Sequence, residues 1–127
     1  MSEPTPTRLR LRLLFGDDAM LGPGKADLLE GIRDSGSISA AGRRMGMSYK
    51  RAWMLVEELN AAFAQPLVDS VRGGPGGGGA RLTGTGEAVL ARYRAIETAA
   101  AEAGAADIAA LEALLRPAPS GDMSDGK

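Results

Sequence analysis

The sequence predicts a mainly α fold carrying one small β-hairpin. Three observations predict it. Two short helical segments meet across a single glycine between Ser37 and Pro66, a glycine run separates two strand-like segments just after them, and an Ala-, Leu- and Glu-rich helix former follows. A chain of 127 residues, 44% hydrophobic and 24% charged, can bury one modest core, so a single domain is expected.

Residues 1–7 carry no pattern and are expected to be a flexible amino-terminal segment. From Arg8 to Phe15 the chain reads RLRLRLLF, in which Arg8, Arg10 and Arg12 alternate with Leu9, Leu11 and Leu13. A period of two is that of a half-buried strand, here with one apolar and one basic face. A turn then leads to a helix from about Lys25 to Asp34, with Leu28, Leu29 and Ile32 on its buried side and Gly36 beyond its end. Gly22 to Lys25 reads GPGK, but Ala19 stands where a phosphate loop needs its first glycine and Ala26 where it needs a hydroxyl. Pro23 and Gly24 are instead a turn into the helix.

Ser37 can accept a hydrogen bond from a first-turn amide, and Ile38, Ala41 and Met45 follow at i, i+3 and i+7 before Gly46. The chain restarts at once: Ser48 is a second cap, and Ala52, Val56, Leu59 and Phe63 form an apolar stripe that ends before Pro66. A helix that ends in glycine and a capped helix that starts two residues later make a helix-turn-helix. Between Asp34 and Glu57 there is no acidic residue, whereas Arg43, Arg44, Lys50 and Arg51 fall there, a local charge of +4. Solvated surface charge would explain each cation singly. Their grouping on this motif points to double-stranded DNA, whose major groove takes the second helix. Measured from Ala52 at about 100° per residue, Lys50 and Met54 point away from the stripe, and Arg51 and Trp53 lie to its sides. Ser48 and Tyr49 occupy the amino end. Trp53 is expected half-buried, and Tyr49 either reaches a phosphate or packs the helix start.

After Pro66, LVDSVR alternates again, and ARLT follows a run, Gly73 to Gly79, in which six of seven residues are Gly. Strand, loop and returning strand make a β-hairpin, and directly after a helix-turn-helix that hairpin is a wing. The run contains Gly-x-Gly-x-x-Gly, yet strand rather than helix follows it, so no pyrophosphate site is expected. Arg72 and Arg81 flank the run, and Gly76, Gly77, Gly78 and Gly79 let backbone amides approach a phosphate chain. The tip is expected to be disordered alone and to order on DNA.

Residues 84–116 are helix-forming, with Leu90, Tyr93, Ile96, Ile108, Leu111 and Leu115 at helical spacing and Gly104 as an interruption. So small a chain has little core left to cover this side, and a partner subunit is the expected cover, making this the dimerisation segment; packing back on its own domain is the alternative. Residues 117–127 should be a disordered tail. The expected organisation is thus a flexible segment over 1–7, a winged helix-turn-helix over 8–83, a helical dimerisation segment over 84–116 and a tail over 117–127.

Cysteine and histidine are both absent, which removes Cys/His zinc sites, disulfides, thiol nucleophiles and Ser-His-Asp triads. No enzyme activity, cofactor or metal is expected. Met45, Met47 and Met54 cluster near the turn and thioethers suit Cu(I), but core packing of Met45 and a staple role for Met47 before Ser48 explain two of the three. Pro and Thr stand where a signal peptide needs apolar residues, and no run approaches a membrane span. The expected location is the cytoplasm, with no membrane partner.

The segment SGSISAAGRRMGMSYKRAWMLVEELN followed by GGPGGGGARLTGTG resembles the amino-terminal DNA-binding domain of the ModE family of molybdate-responsive bacterial transcription regulators. Its first part is also similar to the helix-turn-helix of LysR-type regulators; SYKRAW and GGGGARLT are what single out ModE. The likeness runs from about Arg8 to Leu115. It implies a homodimer joined through the long helices, binding a near-palindromic operator and controlling genes for molybdate uptake or molybdenum enzymes. Carried over by position, the family's DNA contacts fall on Ser48, Tyr49, Lys50 and Arg51 and on the wing around Gly76 to Gly79. Molybdate-sensing members carry oxyanion-binding domains after the long helix, and none is read here, so direct sensing is not expected. The alternative function is a dimerising interaction module that forms a heterodimer with a full-length, sensor-containing family member.

Overall fold

The structure, a computed structural model, describes residues 6–71 and 79–117. Leu13–Phe15 (β1) pairs antiparallel with Ala19–Leu21 (β2), Leu13 opposite Leu21, through a turn that uses Gly16 at φ +65°. The strand expected over Arg8–Phe15 is therefore only three residues long. The cause lies in hydrogen bonding. Only Leu13–Phe15 meets a partner strand, while the Leu11 carbonyl accepts from the Tyr93 hydroxyl at 2.7 Å. The alternation survives as packing, with Leu11 and Leu13 half-buried and Arg10 and Arg12 exposed.

Helix α1 spans Pro23–Ser35, starting earlier than Lys25 because Pro23 sits in the first turn, where an amide hydrogen has no partner to lose. Gly36 closes it in the left-handed conformation at φ +73°, its amide donating to the Ile32 carbonyl at 2.8 Å. Then come α2 (Ile38–Arg44), α3 (Tyr49–Ala62), β3 (Val68–Val71), β4 (Gly79–Leu82), α4 (Gly84–Ala103) and α5 (Ala105–Leu114). Strands β3 and β4 form the antiparallel hairpin, Val68 opposite Leu82. Gly104 separates α4 from α5, as its place in the sequence suggests.

The core is built around α1, which touches α2, α3, α4 and β4. Leu28, Leu29 and Ile32 are fully buried, together with Ala41, Ala52, Leu67 and Tyr93, and Val56 and Leu59 are nearly so. Burying each large apolar side chain contributes about 1.5–3 kcal/mol. Small residues let the helices cross closely. A Cβ on Gly31 would lie 3.0 Å from the Ala41 Cβ, and one on Gly42 would lie 3.0 Å from the Ala52 Cβ.

The first half of α4 covers α1. Leu90 and Tyr93, both expected at a subunit interface, lie in this chain's own core, whereas Ile96, Leu111 and Leu115 are exposed and Ile108 is half-exposed. The crossing is locked by Arg94, whose Nη2 reaches Asp27 and Glu30 at 2.8 Å each while Nη1 reaches Glu97 at 3.0 Å. Burial disfavours the charged guanidinium, but its hydrogen bonds to Asp27, Glu97 and Glu30 outweigh that and raise its pKa. Among the described residues no helix is long and apolar enough to cross a membrane.

Candidate DNA interface

Two serine caps and one glycine turn set the geometry of α2 and α3. The Ser37 Oγ accepts from the Ala40 amide at 3.0 Å, and the Ser48 Oγ accepts from the Arg51 amide at 3.1 Å. Gly46 takes φ +72°, a conformation that strains residues with a Cβ, and its amide donates to the Arg43 carbonyl at 3.0 Å. The Met47 amide donates to the Gly42 carbonyl at 2.9 Å, closing the turn.

On α3 the buried face is Ala52, Leu55, Val56 and Leu59; Leu55 joins the expected stripe and Phe63 stands just past the helix end, partly buried. Lys50 and Met54 are exposed on the opposite face, and Arg51 on one flank and Tyr49 at the amino end are exposed as well. Trp53 is half-buried, and its Nε1–H donates to the Tyr49 hydroxyl, with the rings edge-to-face at 6.3 Å. Tyr49 accepts in that bond, which leaves its own O–H able to donate to a phosphate. At the end of α2, Arg43 is held by the Ser39 Oγ at 2.8 Å. Arg44 borders a cleft shared with Asp27 and Glu30.

The wing is rooted on three sides. The Asn60 Oδ1 accepts from the amides of Leu67 and Val68 at 2.8 and 3.1 Å, and its Nδ2 donates to the Val68 carbonyl at 3.2 Å. The Thr83 amide donates to the Leu67 carbonyl at 2.9 Å and its Oγ1–H to the Pro66 carbonyl at 2.7 Å, and that same Oγ1 caps α4 by accepting from Gly86. The Ala80 amide donates to the Gly36 carbonyl at 2.9 Å. Gly79 stands here at the hairpin's root, where a Cβ would come within 2.7 Å of the Gly36 oxygen. Arg81 is exposed on β4 opposite Asp69. Arg72, Gly76, Gly77 and Gly78, and with them the expected ordering of the tip, lie outside the described residues.

Several contacts are not legible in the sequence. Asn60 and the Gly36–Ala80 bond fix the wing, yet the only local signal is an Asn in the last turn before Pro66. Buried Lys25, 3.1 Å from Glu58 and donating to the Met20 carbonyl, has no signal at all. Among the described residues no group of three or more His, Cys, Asp or Glu is placed to hold a metal ion.

Two capped helices across a glycine turn, a cationic first turn on the second and a hairpin rooted on the second helix and on the end of α1 define a winged helix-turn-helix, a DNA-binding class of fold. Residues 26–87 match the family model of the bacterial regulatory helix-turn-helix protein, lysR family. The chain also matches curated relatives, two of them named for molybdenum. The chain is 46% identical over 84 residues to the molybdenum-pterin-binding protein MopB of Rhodobacter capsulatus, covering 66% of this chain and 31% of that protein. It is 39% identical over 95 residues to the molybdenum transport protein ModE of Azotobacter vinelandii, covering 73% and 35%. It is 42% identical over 80 residues to the DNA-binding transcriptional dual regulator ModE of Escherichia coli, covering 63% and 29%. The matched part thus spans about a third of the length of these curated relatives. The crystal structure of the CbnR_DBD-DNA complex superposes with a TM-score of 0.55 at 24% identity, covering 69% of this chain and 95% of that one, which shows the shared fold.

Proposed function

We propose that this chain is a sequence-specific DNA-binding transcription regulator that acts in the cytoplasm as a homodimer on a near-palindromic operator, without enzymatic activity, in a setting tied to molybdenum or oxyanion metabolism. The observation that carries the reading is the exposed first turn of α3, with Lys50 and Arg51, inside a window between Asp34 and Glu57 that holds no acidic residue, on a winged helix-turn-helix. Ser48, Tyr49, Lys50 and Arg51 enter the major groove, and Arg43 and Arg44 approach the backbone. The wing, with Arg72, Gly76 to Gly79 and Arg81, meets flanking phosphates. Residues 8–83 are the DNA-binding unit and 84–116 the dimerisation unit, in which Ile96, Ile108, Leu111 and Leu115 supply the contact surface. The molybdenum link rests on the names of the relatives.

The reading is tested on a duplex selected by the protein from a random pool. Lys50→Ala with Arg51→Ala should weaken binding about tenfold or more at fixed salt while the oligomeric state is unchanged. Equal binding by that variant would remove the reading. Native mass spectrometry of the wild type, alone and mixed with a longer relative, distinguishes homodimer from mixed pairing.

A further inference from the structure

Two of the alternating arginines of the amino end lie beside α3. Arg10 and Arg12 line an open cavity of about 420 Å³ together with Arg51 and Glu58 of α3 and Lys25 of α1. Lys25 is 8% exposed and pairs with Glu58, so the cavity's one carboxylate is already matched. That leaves three exposed guanidiniums, Arg10, Arg12 and Arg51, and among the described residues none has a carboxylate within ion-pair distance. Like charges gathered on one open surface repel one another, and an arriving polyanion relieves that cost. The backbone between Arg10 and Arg12 is held in place, since the Leu11 carbonyl accepts from Tyr93 at 2.7 Å.

The cavity's position relative to the wing indicates which polyanion surface it meets. At about 100° per residue, Arg51 and Glu58 lie on one flank of α3, and Trp53 and Asn60 on the other. The Asn60 flank holds the root of the wing. A helix about 10–12 Å across fills a major groove about 12 Å wide, so each flank of an inserted α3 lies against one phosphate strand.

We infer that Arg10, Arg12 and Arg51 form a phosphate clamp on the DNA strand that runs along the flank of α3 opposite the wing. The inference rests on the DNA-binding reading and deepens it, assigning Arg51 to the backbone rather than to a base edge. Phosphate contacts carry no sequence information, so the clamp supplies affinity and salt dependence, not choice of site. Arg8 is an internal contrast: it does not line this cavity but a neighbouring one, beside Asp27 and Glu97, whose edge Arg10 shares.

The test is fluorescence anisotropy with a labelled random-sequence duplex over a salt series, on variants whose melting temperature matches the wild type. Arg10→Gln with Arg12→Gln should make the slope of log K against log salt shallower by about 1.8, the share of two phosphate contacts, and Arg12→Gln alone by about 0.9. Arg8→Gln should leave the slope unchanged. A wild-type slope in both the double and the single variant overturns the clamp while the DNA-binding reading stands. Failure of the wild-type protein to bind any duplex at low salt overturns both.

Discussion

The Tyr93 hydroxyl donates a 2.7 Å hydrogen bond to the Leu11 carbonyl, joining α4 to the segment before β1 across 82 residues of sequence. Tyr93 is fully buried and Leu11 half-buried, so the bond is partly shielded from water and sets where the basic amino-terminal segment lies.

Tyr93→Phe should therefore cost about 1–2 kcal/mol of stability in urea unfolding, since it leaves a partly buried carbonyl without its donor. A pH effect accompanies it. Burial raises the phenol's pKa above its ordinary value of 10.0, Glu97 adds to the rise and Arg94 opposes it. With the folded value above the unfolded one, the contribution is complete below about pH 10 and is lost as pH rises through the folded value. The wild type should lose melting temperature above about pH 10 more steeply than Tyr93→Phe. Parallel alkaline profiles would contradict this.

Arg94→Met should destabilise the chain by about 1–2 kcal/mol, between the values for exposed and buried ion pairs, because it leaves Asp27, Glu30 and Glu97 facing one another. Adding Asp27→Asn and Glu30→Gln should recover part of the loss. Thermal melts of the two variants beside the wild type measure it, and no recovery would mean that lost packing, not repulsion, dominates.

Gly86→Ala drives a methyl into the Leu67 carbonyl oxygen, far inside contact distance, and the obstacle is backbone rather than a flexible side chain. A loss of about 2 kcal/mol or more is expected, at the upper end for overpacking. Gly84→Ala, in the same turn with open space around it, should cost little. Equal stability of the two variants would show that the α4 start shifts freely.

Leu111→Lys with Leu115→Lys should abolish self-association without lowering the monomer's stability, since both side chains are exposed at 64% and 68%. Sedimentation velocity reads the outcome. A wild type that is monomeric throughout would end the proposal of a dimer through this segment.

Much of this architecture is legible in local chemistry. Ser37, Gly46 and Ser48 announce their caps and turn because each acts within three residues of itself, and the stripe on α3 follows from helical period. Alternation over Arg8–Phe15 overstates the strand, because it shows which side chains can share a face but not whether a partner strand exists. Leu90 and Tyr93 read as outward-facing for a similar reason: a helical stripe does not say whether α1 or another subunit covers it. Asn60, Lys25 and Arg94 act across long separations, and no local pattern marks them. Of the candidate interface, the basic face of α3 is visible as an acid-free window, whereas the cavity joining Arg10 and Arg12 to Arg51 needs the fold.

Gly36 ends α1 with its amide and anchors β4 with its carbonyl. One peptide-linked residue thus belongs to both the helical scaffold and the hairpin. The β4 root of the wing cannot peel away without disturbing the termination of the central helix, so hydrogen exchange at Ala80 should report the same opening event as that of the α1 core. The reading head is then a single cooperative unit, lost or retained as a whole.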